Sequence, residues 1–532
     1  MPHDFVNGSS SFGAAYVVFG NGVGFGVADA AGRSVISGAN IRASQGFVIM
    51  PGAEAEQTSW IVSSAGDING DGFADLVVGA DDGNDGGQNA GVAYVVFGRA
   101  SGFGQVAPDN TSKRVLNLTT LNAEQGFIIK GAASNDYTGF SVAAAGDVNG
   151  DGFADLIVGA PYGDDGGRDA GQAYVVFGGA AGFGVADATG RMVIDLATLG
   201  AAQGFIIQGD VLRDRAGLSV SSAGDVNGDG FADLIVGAPS GDDAGLRAGE
   251  AYVVFGRAGG IGVVDGAGRQ VIDLTTLSPA QGFIIQGDAA GDYAGTSVSA
   301  AGDVNGDGFD DLIIGAPSGD DGGANAGDGY VLFGAAFGTS FALVATTGTA
   351  AAEVLIGAAG DDTLTGGGGA DVFRGGAGDD RIVVSDATFR SIDGGNGSDI
   401  FVFGASAMTL DTTAIANTRI VGIEGFDMSG QGNNTLVIGA MDVLHFSDNP
   451  HADFTGSTAV HRLVIEGDAG DVLDLRDFDP DGAGVAPNRF WSETASNRTL
   501  ANGAGGSYDY WTLSDGVRTF AVLAVSNDLS VL

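Results

Sequence analysis

Four short segments of this chain place acids at a spacing that can trap a hard cation. In one, Asp147, Asn149, Asp151, Phe153 and Asp155 stand at positions 1, 3, 5, 7 and 9 of a single loop. Alternate side chains at 1, 3 and 5 can converge on one ion, the main-chain carbonyl at 7 can join them, and the carboxylate at 9 closes the shell. Gly150 and Gly152 permit the sharp turn. A ligand set made only of oxygen favours calcium over zinc or copper. The set recurs as Asp67, Asn69, Asp71, Phe73 and Asp75, as Asp225, Asn227, Asp229, Phe231 and Asp233, and as Asp303, Asn305, Asp307, Phe309 and Asp311. An EF-hand would need a bidentate Glu at position 12, where this chain has Val78, Val158, Val236 or Ile314. The loops therefore belong in β-hairpins and not between helices. A metal-free Asx turn would explain one copy. Four copies that keep every side-chain ligand argue for an ion.

A second set lies further on. Three nonapeptides run without a gap, GAAGDDTLT (357–365), GGGGADVFR (366–374) and GGAGDDRIV (375–383), and a fourth starts at Gly394 after an insertion. The pattern is G-G-x-G-x-D-x-U-x, with Leu364, Phe373, Ile382 and Phe401 at the apolar position U and Ala358 replacing one Gly. Six residues make a turn and three make a short strand with U pointing inward, so two nonapeptides complete one coil. Asp362 and Asp380, 18 apart, then stack on one edge and can share an ion. Asp371 meets Phe389 at the next coil, and Asp399 can serve only if the insertion loops out. One or two ions are expected here, beside four in the earlier loops.

The elements that must hold these sites show as repeats. The string AYVVFG places tyrosines at Tyr16, Tyr94, Tyr174, Tyr252 and Tyr330, spaced 78, 80, 78 and 78. The acid loops keep the same period. One unit reads as four short strands: SVAAAGD from Ser141, DLIVGAP from Asp155, QAYVVFG from Gln172 and GFIIQG from Gly204. Four strands per unit, each unit too small to bury a core alone, is the signature of propeller blades. Met1-Pro2 aligns with Ala160-Pro161, so the chain starts in mid-blade. The expected architecture is all-β: a propeller of four to five blades over 1–345, its ring incomplete or closed by strands from both ends, a linker over 346–356, a short parallel β-roll over 357–403, and a β-rich module over 404–532.

At these residues the chain resembles two known families. The units resemble FG-GAP repeats of the integrin alpha-subunit β-propeller, in the form common in bacterial secreted proteins. GAP stands as Gly159-Ala160-Pro161, Gly237-Ala238-Pro239 and Gly315-Ala316-Pro317, while the first unit departs with Gly79-Ala80-Asp81. The FG pair keeps Gly139, Gly217 and Gly295 but replaces Phe by Thr138, Ala216 and Ala294. The resemblance implies calcium loops on one face of the propeller and ligand recognition on the other, with no integrin ligand motif to carry over. The nonapeptides resemble the hemolysin-type (RTX) calcium-binding β-roll. The end, Ser526-Asn527-Asp528-Leu529-Ser530-Val531-Leu532, is similar to an uncleaved signal read by type I secretion machinery.

Composition agrees and excludes other classes. Lys+Arg 22 against Asp+Glu 66 gives −44, which rules out a basic nucleic-acid-binding face. Only 8 of the 66 acids are Glu, leaving 58 Asp, so short carboxylates in turns are selected over general solubility. There is no Cys, hence neither disulfide nor thiolate metal site. No amino-terminal signal peptide is legible, and no run nears the ~18 apolar residues of a membrane helix. Four histidines (His3, His445, His451, His461) fall in no metalloprotease spacing, and the sequence shows neither a nucleophile elbow nor a P-loop. Pairs such as Asp164-Asp165, Asp242-Asp243 and Asp320-Asp321 repeat on three successive blades, as turns do and catalytic dyads do not. The reading is a secreted or surface-associated, non-catalytic calcium-binding protein that takes an extracellular protein or glycan ligand in adhesion or matrix contact. The alternative is a fragment of a calcium-stabilised extracellular hydrolase.

Overall fold

A computed structural model describes residues 14–531 except for 21–26, 29–32, 39–40, 51–59, 108–112, 181, 260, 306–308, 336–346, 358–359, 416–418, 431, 440–441, 444–445, 447–460, 477–489, 499–507 and 515–518. Of the candidate ligands, Asp307 lies outside the described residues. The architecture is all-β. Its described helical residues are single 3-10 turns such as Leu196–Thr198, with 38, 419, 442, 443 and 446.

One complete blade is the antiparallel series Ser141–Gly146, Asp155–Ala160, Gln172–Val176 and Gly204–Gln208. It recurs as Trp60–Gly66, Asp75–Ala80, Val92–Val96 and Gly126–Lys130, and as Ser219–Gly224, Asp233–Ala238, Glu250–Val254 and Gly282–Gln286. A fourth blade has Ser297–Gly302, Asp311–Ala316 and Asp328–Leu332. Ala15–Val18 and Gly46–Met50 pair as the last two strands of a unit preceding the first, as the register of the repeats implies. The central strands are buried throughout, which is why DLIVGA and QAYVV are continuous apolar runs instead of alternating ones. Ile157, Val175 and Phe205 on one side of the second blade share a core with Leu234, Val236 and Tyr252 of the third.

The structure adds an element to the four-strand unit. The hairpin Val185–Ala186 and Met192–Asp195, drawn from the second blade, reaches back to the first, where Ile128 pairs with Val193 in parallel. Phe183 stacks on Phe127 across the join, 4.4 Å between centroids. The hairpin ending at Asp273 does the same for the second blade. Sheets of six strands result.

Among the described residues the end blades leave their outer sides open. Ile313, Val331 and Val304 of the last blade are exposed, whereas their equivalents Ile157, Val175 and Val148 are fully buried. At the other end Val18 and Val62 are exposed where Val176 and Val142 are buried.

From Val354 the chain coils. Thr363–Thr365, Arg381–Val384 and Ile400–Phe403 pair in parallel as one wall, and Val354–Ile356, Val372–Arg374 and Ser391–Asp393 form the other. Leu364, Phe373, Ile382 and Phe401 all point into the core. Winding continues past residue 403: Gly425–Asp427, His461–Glu466 and Thr519–Ser526 extend the first wall. One apolar core runs from Leu355 to Leu529. Among the described residues no helix is long and apolar enough to cross a membrane.

Candidate metal centres

Each propeller loop spans the turn between the first two strands of a blade. The position-9 acids Asp75, Asp155, Asp233 and Asp311 are fully buried. In the second blade Asp155 accepts hydrogen bonds from the Val148 and Gly178 amides, both at 2.9 Å, tying the loop to the strand beyond. Asp147 accepts from the Gly150 and Asp151 amides at 2.7 and 3.1 Å, and also from the Gly152 amide. Asn149 accepts from Asp151 N–H at 2.8 Å, and Asp151 from Phe153 N–H at 3.0 Å. The loops at Asp67 and Asp225 repeat these bonds. In the fourth, Asp311 caps the Val304 and Gly334 amides at 2.8 and 2.9 Å, while Asp303, Asn305 and Phe309 border the undescribed 306–308.

The backbone thus holds three like charges together. Burial raises the carboxyls of Asp75 and Asp225 to about 7, and neighbouring acids of the same loop add to it. Burial likewise lifts Asp155 and Asp233 well above the usual range, with Asp147 and Asp225 pushing further. A divalent cation removes both causes at once, and the donor set is all oxygen. Asp67, Asp71 and Asp75 with Asn69 and the Phe73 carbonyl would hold it in the first blade, and the equivalent residues in the others. Among the described residues, no propeller loop brings three acids within 4.8 Å of one another; their carboxylates accept from backbone amides instead.

One loop carries an added cation. Arg374 of the roll forms an ion pair with Asp147, and its guanidinium donates to the Asp147 and Gly230 carbonyls at 3.4 and 3.3 Å. Arg390 lies 3.6 Å over the Phe153 ring and donates to the Asp151 carbonyl at 2.9 Å. The roll therefore rests on the acid loops of the second and third blades.

In the roll the acids form a ladder. Asp380 accepts from the Asp362 amide at 2.7 Å, and Asp399 accepts from the Asp380 amide at 2.7 Å. The insertion does loop out: Arg381 pairs with Ile400, so a 19-residue coil brings Asp399 into the column. Asp371 sits on the opposite edge and accepts from Glu353 N–H at 3.0 Å, 18 residues earlier, while Phe389 goes into the core. The second carboxylate oxygens of Asp380 and Asp399 are buried without a hydrogen-bond partner. A methyl placed on Gly375 would lie 2.1 Å from the Gly394 carbonyl oxygen and 2.2 Å from Asp380 Oδ2. At Gly357 it would meet the Gly375 carbonyl at 2.1 Å and Asp362 Oδ2 at 2.9 Å. Carbonyl and carboxylate oxygens converge on one spot at each level, as a calcium ion requires. Burial pushes the Asp380 carboxyl up to about 7 and that of Asp399 to about 10.

The structure also assembles a trio that sequence reasoning missed. Among the described residues, Asp210, Asp243 and Glu250 bring carboxylate oxygens within 4.8 Å of one another. Tyr252 donates to Asp210 at 2.8 Å and to Glu250 at 2.5 Å. The trio lies at the strand ends opposite the acid loops. Blade four carries Asp288, Asp321, Asp328 and Tyr330 at the equivalent positions, with Tyr330 donating to Asp288 at 2.7 Å, whereas blade two has Ala132 and Gln172 in place of the first and last acid. The available signal was the acid directly before AYVV or GYVL.

Comparison with known proteins agrees with this geometry. The FG-GAP repeat matches at 59–96, 138–176, 216–254 and 294–332, and the RTX calcium-binding nonapeptide repeat at 347–382. Integrin alpha-5 of Xenopus laevis is 28% identical over 235 residues, 41% of this chain and 20% of the integrin. Integrin alpha pat-2 of Caenorhabditis elegans is 29% identical over 266 residues, 48% and 17% of the two chains. Human integrin alpha-IIb is 31% identical over 192 residues, 35% and 15%. The match spans a fifth or less of the length of each of these relatives. The chain is thus built from FG-GAP repeats of the integrin alpha type followed by RTX calcium-binding nonapeptide repeats.

Proposed function

We propose that this chain is a secreted, calcium-dependent binding module of bacterial type, non-catalytic, that holds an extracellular protein or glycan ligand in adhesion or matrix contact. The observation that carries the reading is the roll ladder, where unpartnered buried carboxylate oxygens meet glycine carbonyls at successive levels. The four propeller loops support it with the same chemistry. Where calcium is scarce, the clustered carboxylates repel and weaken the fold, which suits transit through type I secretion machinery. In millimolar calcium, binding and folding proceed together. At calcium tenfold above a site's Kd, each site adds about 1.4 kcal/mol. The terminal segment then folds as the last rung, with Leu529 in the core and Ser530–Val531 paired to Val472–Leu473. On this reading the ligand is taken at the blade edge opposite the acid loops, where the Asp210, Asp243 and Glu250 trio lies.

Two measurements test this. Excess EGTA should lower the temperature at which far-UV circular dichroism loses β-structure, and calcium should restore it; an unchanged melting temperature would falsify the calcium reading. Screening the calcium-loaded chain on glycan and matrix-protein arrays should give hits that EGTA abolishes. Calcium-independent hits, or turnover of a polymeric substrate, would count against the binding-module reading.

A further inference from the structure

We infer that the metal column of the roll extends one level beyond the nonapeptides, to a calcium site built by Asp399, Glu424 and the Gly422 carbonyl. The inference rests on the calcium reading of the roll and adds a level that the repeat does not encode, since Gly422 and Glu424 lie beyond the fourth nonapeptide, which starts at Gly394.

Three levels of the column share one construction. At each, an acid presents one carboxylate oxygen beside a glycine carbonyl of the next turn, and that turn's acid caps the first acid's amide. The lower levels use Asp362, the Gly375 carbonyl and Asp380, then Asp380, the Gly394 carbonyl and Asp399. At the third, a methyl on Gly394 would lie 1.8 Å from the Gly422 carbonyl oxygen and 2.7 Å from Asp399 Oδ2. Those two oxygens therefore converge on one spot, as below. Asp399 is fully buried and its Oδ2 has no hydrogen-bond partner, so an acceptor with nothing to accept is aimed at that spot. The capping acid is Glu424, whose carboxylate accepts from the Asp399 amide at 2.7 Å.

Spacing explains why a Glu appears. Glu424 follows Asp399 by 25 residues instead of 18, and its turn, Gly422-Ile423-Glu424, is not a nonapeptide. Backbone register is nevertheless kept, with Ile400 paired to Gly425 and the Glu424 amide donating to the Asp399 carbonyl at 2.9 Å. The longer side chain recovers the capping bond that an Asp makes in the nonapeptide turns. Carboxylates from two levels, both buried, with a carbonyl between them form a hard-cation site. Gly422 and Glu424 also line a cavity of about 440 Å³ between roll and propeller, shared with Asp393 and Asn396.

The test is calcium bound per chain, by equilibrium dialysis of the full-length protein at about 1 mM free calcium, for wild type, Glu424→Gln, Glu424→Asp and Asp380→Asn. Gln keeps an acceptor for the Asp399 amide but loses the charge. Glu424→Gln should release one ion, or weaken one site at least tenfold, with the far-UV spectrum of the calcium-free chain unchanged. Glu424→Asp, which keeps the charge, should retain the ion with altered affinity and serves if Gln fails to fold. Glu424→Gln binding as many ions as wild type, equally tightly, would show that Glu424 is only a backbone cap and would overturn the inference. Asp380→Asn reports on the nonapeptide levels: if it also loses nothing, the calcium reading of the roll fails, not the extension alone.

Discussion

Without calcium, this protein should lose stability as pH rises from 5 to 8, the reverse of ordinary acid denaturation. Asp75 in the first blade and Asp380 in the roll are fully buried, and burial, the largest cause in each, pushes both carboxyls up to about 7. In an unfolded chain an Asp titrates near 3.9. Between those values the folded state keeps protons that the unfolded chain has released. Their contribution is therefore complete below about pH 4 and is lost as pH climbs through about 7. Integrated from pH 5 to pH 8, the loss is about 2–3 kcal/mol per carboxyl. The two groups sit in separate units, so each unit should melt roughly 5–10 °C lower at pH 8 than at pH 5. The assay is thermal unfolding followed by circular dichroism, in buffers stripped of calcium over a chelating resin, because EGTA binds calcium poorly in acid. In millimolar calcium the slope should vanish, since the ion replaces the proton. A calcium-free melting temperature that is flat or higher at pH 8 would refute the claim that these carboxylates are confined without compensation.

Other outcomes follow from the same geometry. Gly375→Ala should abolish calcium binding by the roll and cost several kcal/mol, because its methyl meets oxygens at 2.1 and 2.2 Å; Gly179→Ala, with open space around it, should melt like wild type. Ile157→Ala should cost about 2–5 kcal/mol in urea unfolding, whereas the same change at the equivalent but exposed Ile313 should cost under about 1 kcal/mol. Equal costs would mean that the last blade is covered as the middle ones are. Arg374→Met strands the buried Asp147 charge, and calcium-free denaturation should show a loss of about 3–5 kcal/mol. Calcium should shrink that loss by supplying the missing positive charge, and an identical loss in both buffers would argue that no ion reaches this loop.

Much of the fold was legible because it is written several times. A period near 78, an acid loop at fixed offset and an inward residue every nine positions each report a local geometry that does not depend on distant chain. What stayed hidden depends on tertiary meetings. Asp210, Asp243 and Glu250 come from three separate segments, so no spacing rule unites them. Asp399 looked doubtful by counting, since only the fold shows where one surplus residue is absorbed. Glu424 breaks the repeat that identifies its neighbours and becomes visible only through the amide it caps. Arg374 and Arg390 sit in roll strands and turns whose sequence says nothing of the propeller loops they touch.

The hairpin that reaches back has a consequence for where this protein can be cut. The outer strand Gly204–Gln208 of the second blade finds its outer neighbour in Gln270–Asp273, some 60 residues onward. A fragment trimmed at the end of the repeat, near residue 215, would expose that strand as a bare parallel edge, with Ile206 and Ile207 beside it, and should aggregate. A piece that keeps this edge covered must therefore run on through the hairpin of the next repeat, roughly 138–277. Expression boundaries, tolerated insertions and protease-resistant cores should all follow that overlapping frame and not the repeat itself.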